Sequence, residues 1–256
     1  YFMADVSQLY EIFLRFPKVC IDNRSDVSQS LFFAVGQANQ KGVRRGNAFA
    51  LSALENGKAA CVVVNDPELY DLHAKDERWF FCEDTEATLW ELAAFHRNNC
   101  DMPFIAIAGS NGKTTTRNLL NAVLSRRFRT FATPGNLNNH LGTPLSILQI
   151  QPKVHQIAII EIGANHLGET YQLASLVAPQ WGLITNCGKD HLGEYGSMEN
   201  IVAANGELFD YLAHNNGTAF VNSNDKAVVA LSERLMNKVF YGKNESVHGK
   251  ILEEPL

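Results

Sequence analysis

The residues with the clearest chemical potential lie in one heptapeptide, Gly109-Ser110-Asn111-Gly112-Lys113-Thr114-Thr115. Phosphate oxygens are held by inward-pointing backbone N–H groups and by positive charge, and a glycine-rich turn that opens a helix supplies both. Gly109 and Gly112 permit the tight turn and the close approach of backbone to ligand. Lys113 is suited to neutralise β- and γ-phosphates, and the Thr114 hydroxyl suits a magnesium ion. The segment therefore predicts a loop that takes ATP with Mg2+. Its glycines stand two residues closer together than in the general G-x-x-x-x-G-K-[ST] pattern. The context supplies the missing support, because an apolar run (Phe104–Ala108) precedes the loop and a helical pattern follows it. An ordinary strand-to-helix turn has no need of Gly-Lys-Thr-Thr in that order.

Other polar groups fall where they can join this loop. Glu161 closes an apolar run and is followed by Ile162-Gly163-Ala164-Asn165-His166. If the two strands are neighbours, its carboxylate can hold magnesium directly or through water; otherwise it is a solvated strand end. Asn186 and His191 occupy a similar place in Thr185-Asn186-Cys187-Gly188-Lys189-Asp190-His191-Leu192. Histidine is an uncommon magnesium ligand, so chemistry alone leaves His191 open as metal ligand or catalytic residue. Between Gly135 and Gly142 stand three asparagines, Asn136, Asn138 and Asn139. Amides donate and accept, so this stretch suits recognition of a peptide or carboxylate; the competing reading is a connector held by asparagine turn chemistry.

These residues need elements to carry them. Strands are expected at Ser30–Val35, Ala59–Val64, Phe104–Ala108, Ile157–Ile162, Gly182–Thr185, Thr218–Val221 and Val239–Tyr241. Helices are expected at Phe49–Asn56, Thr85–Asn98, Thr114–Arg126, Glu169–Val177, Glu199–His214 and Asp225–Asn237. The amphipathic start, Tyr1–Arg15, reads as a short surface helix. Leu89, Leu92, Ala93 and His96 fall on one face of the Thr85–Asn98 helix. A polar run from Arg97 to Asp101, ahead of Met102-Pro103, marks a break near residue 100. The fold class expected is α/β: a small mixed α/β domain, then a P-loop-type domain with a mostly parallel sheet flanked by helices. Ligands of such sheets bind at the carboxyl ends of the strands, where Gly109, Glu161 and Asn186 fall.

Composition narrows the class. With 46% hydrophobic and 19% charged residues, the 256-residue chain is globular. A formal net charge of -5 argues against general affinity for nucleic acid. No apolar run is long enough to span a bilayer, so no membrane insertion is expected. The five cysteines are widely spaced, odd in number and without C-x-x-C spacing; they read as reduced thiols of a cytoplasmic protein.

Taken together, these segments resemble the Mur ligases of peptidoglycan synthesis. The resemblance rests on Gly109 to Thr116, on Gly135 to Gly142 (GNLNNHLG), on Glu161 to Asn165 (EIGAN), and on Thr185 to Leu192 with Gly196-Ser197. The short phosphate loop is shared with folylpolyglutamate synthases, whereas GNLNNHLG is the more discriminating segment. It points to the branch that joins D-Ala-D-Ala to a UDP-N-acetylmuramoyl tripeptide. The resemblance implies that ATP phosphorylates the tripeptide carboxylate and that the dipeptide amine displaces the phosphate. It implies Lys113, Glu161 and His191 as catalytic residues, with magnesium on Thr114, Glu161 and His191. Asn136, Asn138 and Asn139 would place the tripeptide, and Arg24 of Asp22-Asn23-Arg24 would contact the UDP pocket. Residues 1–100 would form a UDP-sugar-binding domain and 101–256 an incomplete ATP-binding domain. The C-terminal domain of the family would be absent, so this stretch alone should not complete ligation. A monomeric cytoplasmic enzyme is expected. Two residues depart from the pattern. Asn205 stands where most members carry a carbamylated lysine that helps hold a second magnesium, and Asn23 replaces Ser/Thr. Another Mur or folylpolyglutamate-type ligase, or a degenerate ATP-binding paralogue, are the alternatives.

Overall fold

The computed structural model describes residues 5–188, 196–243 and 245–248. The chain divides into two compact units, Tyr1–Cys100 with Ile147–Gln149, and Asp101–Ser146 with Ile150–Leu256. Both sheets are wholly parallel and flanked by helices, so the molecule is α/β.

In the first unit, strands β1 (Val19–Cys20), β2 (Leu31–Phe33), β3 (Cys61–Val64) and β4 (Trp79–Phe81) lie side by side in chain order. Every residue of β2 and β3 is buried, as strands covered on both faces must be. Val62, Val64 and Phe32 pack with Ala50, Ala53 and Leu54 of helix α2 (Ala50–Glu55). Helix α3 (Pro67–His73) starts on Asp66, whose side chain accepts from the amides of Glu68 and Leu69, with Pro67 in the first turn. Asp84 caps α4 (Thr85–Asn98) in the same way, and Leu89, Leu92, Ala93 and His96 are buried on it as the spacing predicts. The N-terminal helix is more than a surface element. As α1 (Val6–Arg15), capped by Asp5, it buries Leu9 and Phe13 completely or nearly so.

The second unit holds β5 (Phe104–Ala108), β6 (Thr130–Ala132), β7 (Ile157–Glu161), β8 (Trp181–Ile184), β9 (Thr218–Asn222) and β10 (Asn237–Tyr241). Their spatial order is β10-β9-β8-β5-β7-β6. From β5 the chain runs outward through α5 (Lys113–Leu124) to the edge strand β6. It then returns through α6 (Gly142–Ile147) to β7, and crosses by α7 (Glu169–Val177) to β8 on the other side of β5. The order therefore reverses at β5, and the loop that leaves β5 sits at a topological switch point, where such sheets form a crevice. One face of the sheet, Ile105, Ile107, Ile157, Ile159 and Leu183, packs on Leu120 and Leu124 of α5. The long helix α8 (Met198–His214), with Leu208 and Leu212 buried, approaches the sheet at Gly182.

One helix ends earlier than its sequence pattern suggests. Of the expected Asp225–Asn237, only α9 (Lys226–Leu231) is α-helical, followed by a 3-10 turn at Ser232–Arg234. Asp225 caps it, Met236 is exposed, and Asn237 is drawn into β10 by its register with Thr218 of β9.

Candidate active site

The site is built at the carboxyl end of β5. That strand is fully buried and delivers Gly109 at φ +123°, a backbone conformation for which glycine is suited. A methyl group on Gly109 would lie 2.1 Å from Thr185 Oγ1 and 2.8 Å from the Thr185 amide nitrogen. Glycine is thus demanded twice, by conformation and by the close approach of the chain leaving β8. Gly112 is the N-cap of α5 at φ +80° in left-handed geometry. The N-terminus of α5, where a helix leaves its first amides without intrahelical acceptors and carries partial positive charge, opens at this point.

The segment after β8 braces the loop. Asn186 accepts from the Ser110 amide through its carbonyl at 2.9 Å and from the Asn111 amide through Oδ1 at 3.2 Å. Its Nδ2 donates to the Asn111 carbonyl at 2.9 Å. The Gly188 amide donates to Ser110 Oγ at 3.0 Å. Ser110 is accordingly buried and engaged within the protein. The side chain of Lys113 folds back over the loop, its Nζ donating to the carbonyls of Gly109 at 2.6 Å and Ser110 at 2.9 Å. Thr115 lies exposed in the first turn of α5.

Glu161 lies level with Ile107 of the adjacent strand β5 and is only 2% exposed. The Thr114 hydroxyl sits 3.1 Å from each of its carboxylate oxygens. Asn138 Nδ2 donates to Oε1 at 2.8 Å, and Arg117 donates from one terminal nitrogen to Oε2 at 3.2 Å. Thr133, also buried, accepts from the Glu161 amide at 3.0 Å. The fold therefore brings together Lys113, Thr114, Glu161 and Asn138 from three separate segments. A buried carboxylate facing a hydroxyl at a phosphate-type loop is a hard oxygen donor set, which suits Mg2+ held mainly by phosphates and one or two carboxylates. Among the described residues, no group of three or more His, Cys, Asp and Glu side chains could hold a metal by itself. His191 lies outside the described residues.

The other asparagines are placed differently. Asn139 Oδ1 accepts from the amides of Leu141 at 3.2 Å and Gly142 at 2.8 Å, so it shapes the entry to α6 by turn chemistry. Asn136 is exposed on the loop. Arg24 is 86% exposed and forks onto Asp22, two residues away, with its terminal nitrogen 2.7 Å from Asp22 Oδ2. It is not a lining residue of the cavity of about 670 Å³ that Gln37, Asn39, Arg44, Arg45, Asn47 and Asp66 help to form in the first unit. The Asn205 amide donates to the Ile201 carbonyl of its own helix at 2.9 Å. A neutral amide cannot form a carbamate, so the position does not fit a carbamate-bound second metal. The neighbouring Glu207 caps α7 instead, accepting from the amides of Gly168 at 2.6 Å and Tyr171 at 3.0 Å. Burial, with Asp225 nearby, pushes the Cys187 thiol up to about 12.

Sequence reasoning missed Arg117 and Thr133. Arg117 reads as a solvated charge on an amphipathic helix. The available signal is its spacing, three residues after Thr114, which places both on one helical face.

The family model of the Mur ligase middle domain matches residues 107–254. The UDP-N-acetylmuramoyl-tripeptide–D-alanyl-D-alanine ligase of Synechocystis sp. is 34% identical over 249 residues, 95% of this chain and 52% of the relative. The ligase of the same name from Escherichia coli is 36% identical over 169 residues, 66% of this chain and 36% of the relative. Among solved structures, MurF from Acinetobacter baumannii superposes with a TM-score of 0.76 at 29% identity, covering 90% of this chain and 49% of that one. The MurF ligase of Thermotoga maritima in complex with ADP gives a TM-score of 0.76 at 26% identity, covering 90% of this chain and 51% of that one. The chain spans about half the length of the curated relative that matches most of it.

Proposed function

We propose, from the premise that this chain belongs to the Mur ligase family, that its protein joins D-Ala-D-Ala to a UDP-N-acetylmuramoyl tripeptide at the expense of ATP, in peptidoglycan precursor synthesis. The observation that carries the proposal is the convergence on Glu161. The Thr114 hydroxyl of the phosphate loop and the Asn138 amide of GNLNNHLG both reach this one buried carboxylate, at 3.1 and 2.8 Å. The discriminating segment and the phosphate loop thus form one site. The relatives bearing this ligase name and the ADP-bound neighbour support the same reading.

In this reading the second unit, within 101–256, takes ATP, and the first, within 1–100, takes the UDP-sugar end of the substrate. The tripeptide carboxylate attacks the γ-phosphorus, the bond to ADP breaks, and an acyl phosphate results. The dipeptide amine then attacks the acyl carbon, phosphate leaves, and the amine proton passes to a base. Such chemistry needs positioning and charge neutralisation above all. Lys113 leaves the loop carbonyls to meet the phosphates. Thr114 and Glu161, with His191, would hold Mg2+, which supplies neutralisation of the charge that develops on the transferring phosphoryl group. Asn138 and Asn136 orient the substrate carboxylate, and Asn139 keeps their loop in shape. No step depends on a carbamate at Asn205, so bicarbonate should not stimulate the enzyme. ATP and a UDP-linked substrate place the reaction in the cytoplasm, and the reading takes the enzyme to be a monomer. No described helix is long and apolar enough to cross a membrane.

The test is phosphate release by the full-length protein. UDP-N-acetylmuramoyl tripeptide with D-Ala-D-Ala should stimulate it strongly. Stimulation by another acceptor pair and not by this one defeats the assignment in favour of another ligase of the family.

A further inference from the structure

Arg117 is an unexpected neighbour for a metal-binding carboxylate. It is a guanidinium only 7% exposed, ion-paired to a carboxylate only 2% exposed. The same terminal nitrogen that reaches Glu161 also donates to the Gly135 carbonyl at 2.7 Å. The remaining edge of the guanidinium rests on Asn118 Oδ1, with Nε at 3.2 Å and the other terminal nitrogen at 2.9 Å. Arg117 therefore ties the phosphate-loop helix, the end of β7 and the start of the asparagine loop to one another.

We propose that Arg117 is the built-in counter-cation of the metal site, a positioning residue that aims Glu161 and lowers the site's affinity for the divalent ion. The inference rests on the reading of Thr114 and Glu161 as metal ligands. An ionised carboxylate offers about four acceptor positions. Here Asn138 takes one oxygen and Arg117 the other, while Thr114 faces both. Only the side toward Thr114 is left for a metal, so the aim is set before any ion arrives. A buried carboxylate without a partner would be strongly disfavoured, and Arg117 meets that need while the site holds nucleotide alone or nothing. The same positive charge repels a divalent ion that comes to Glu161. At this depth the repulsion is barely screened by salt, and it outweighs the modest loss of orientation when the charge is removed.

The signature is a rise in metal affinity together with a fall in turnover. In the full-length protein with ADP, Arg117→Gln should bind Mn2+ about tenfold or more tightly than wild type, followed by electron paramagnetic resonance. Its turnover should fall, because Glu161 and the Gly135 loop lose their tie. Arg117→Lys keeps the charge and loses the fork. It should bind Mn2+ within about threefold of wild type, and this arm stands even if the glutamine variant does not fold. Unchanged or weaker Mn2+ binding by folded Arg117→Gln overturns the proposal. So does a tenfold loss of affinity in Arg117→Lys, which would reduce Arg117 to a geometric support. If wild type with ADP binds no Mn2+, the metal assignment itself fails and this inference falls with it.

Discussion

Lys113→Ala should slow phosphate release by about 100- to 1,000-fold, the usual consequence of removing one preorganised group from a site of developing negative charge. Gly109 and Gly112 adopt positive φ, which turns the chain from β5 into α5 within a few residues. Lys113 is then the first residue of the helix, and its ammonium lies against the Gly109 and Ser110 carbonyls, at the mouth of the turn. A phosphate at the helix N-terminus would meet it there. Its ammonium ties two carbonyls of the same loop, a local contact, so the variant should melt close to wild type. Steady-state phosphate release and a thermal melt, run on the same preparation, check both halves. Wild-type turnover in the variant contradicts the assignment. A collapse of the melt would show the lysine to be structural.

Glu161→Ala carries the second large effect, and here stability and activity move together. The substitution leaves the Arg117 guanidinium buried without its carboxylate, and breaking such a pair from one side costs on the order of 3–5 kcal/mol. It also strips Thr114 and Asn138 of their shared acceptor. Glu161→Gln separates the effects, since it keeps the shape and one acceptor oxygen but removes the charge. For Glu161→Gln we expect a raised magnesium requirement with a smaller loss of stability. Denaturant unfolding of both variants and a magnesium titration of phosphate release make the comparison. A magnesium titration that is unchanged in Glu161→Gln removes Glu161 from the metal site.

The strand-loop-helix frame of Phe104 to Leu124 is local, and its glycines announce their own geometry. Glu161 was readable because parallel strands align their carboxyl ends, so a polar residue closing an apolar strand points to the crevice. Arg117 was not readable in the same way. Its role depends on a carboxylate that lies far along the chain; the spacing from Thr114 puts it on the loop's face of α5 but does not reveal the partner. The asparagines show the same limit. Asn138 and Asn139 are adjacent and alike, yet one reaches Glu161 while the other closes a turn onto Gly142. Short elements were equally hidden. α3 starts at Pro67 on the Asp66 cap, a short helix without the apolar periodicity that marks the longer ones. β4 is three aromatic residues, Trp79-Phe80-Phe81, that become a strand by pairing with β3. β6 likewise exists through its register with β7. Arg24 comes from a motif-like triplet, and its exposed side chain forks onto its own neighbour Asp22.

The central claim is that this site activates a carboxylate by phosphorylating it. Hydroxylamine trapping tests that most directly. The full-length protein, given ATP, magnesium and UDP-N-acetylmuramoyl tripeptide without the dipeptide, should yield the hydroxamate of the tripeptide's terminal carboxylate, in proportion to the ADP formed. ADP formed without hydroxamate, or neither product at saturating magnesium, would contradict the account.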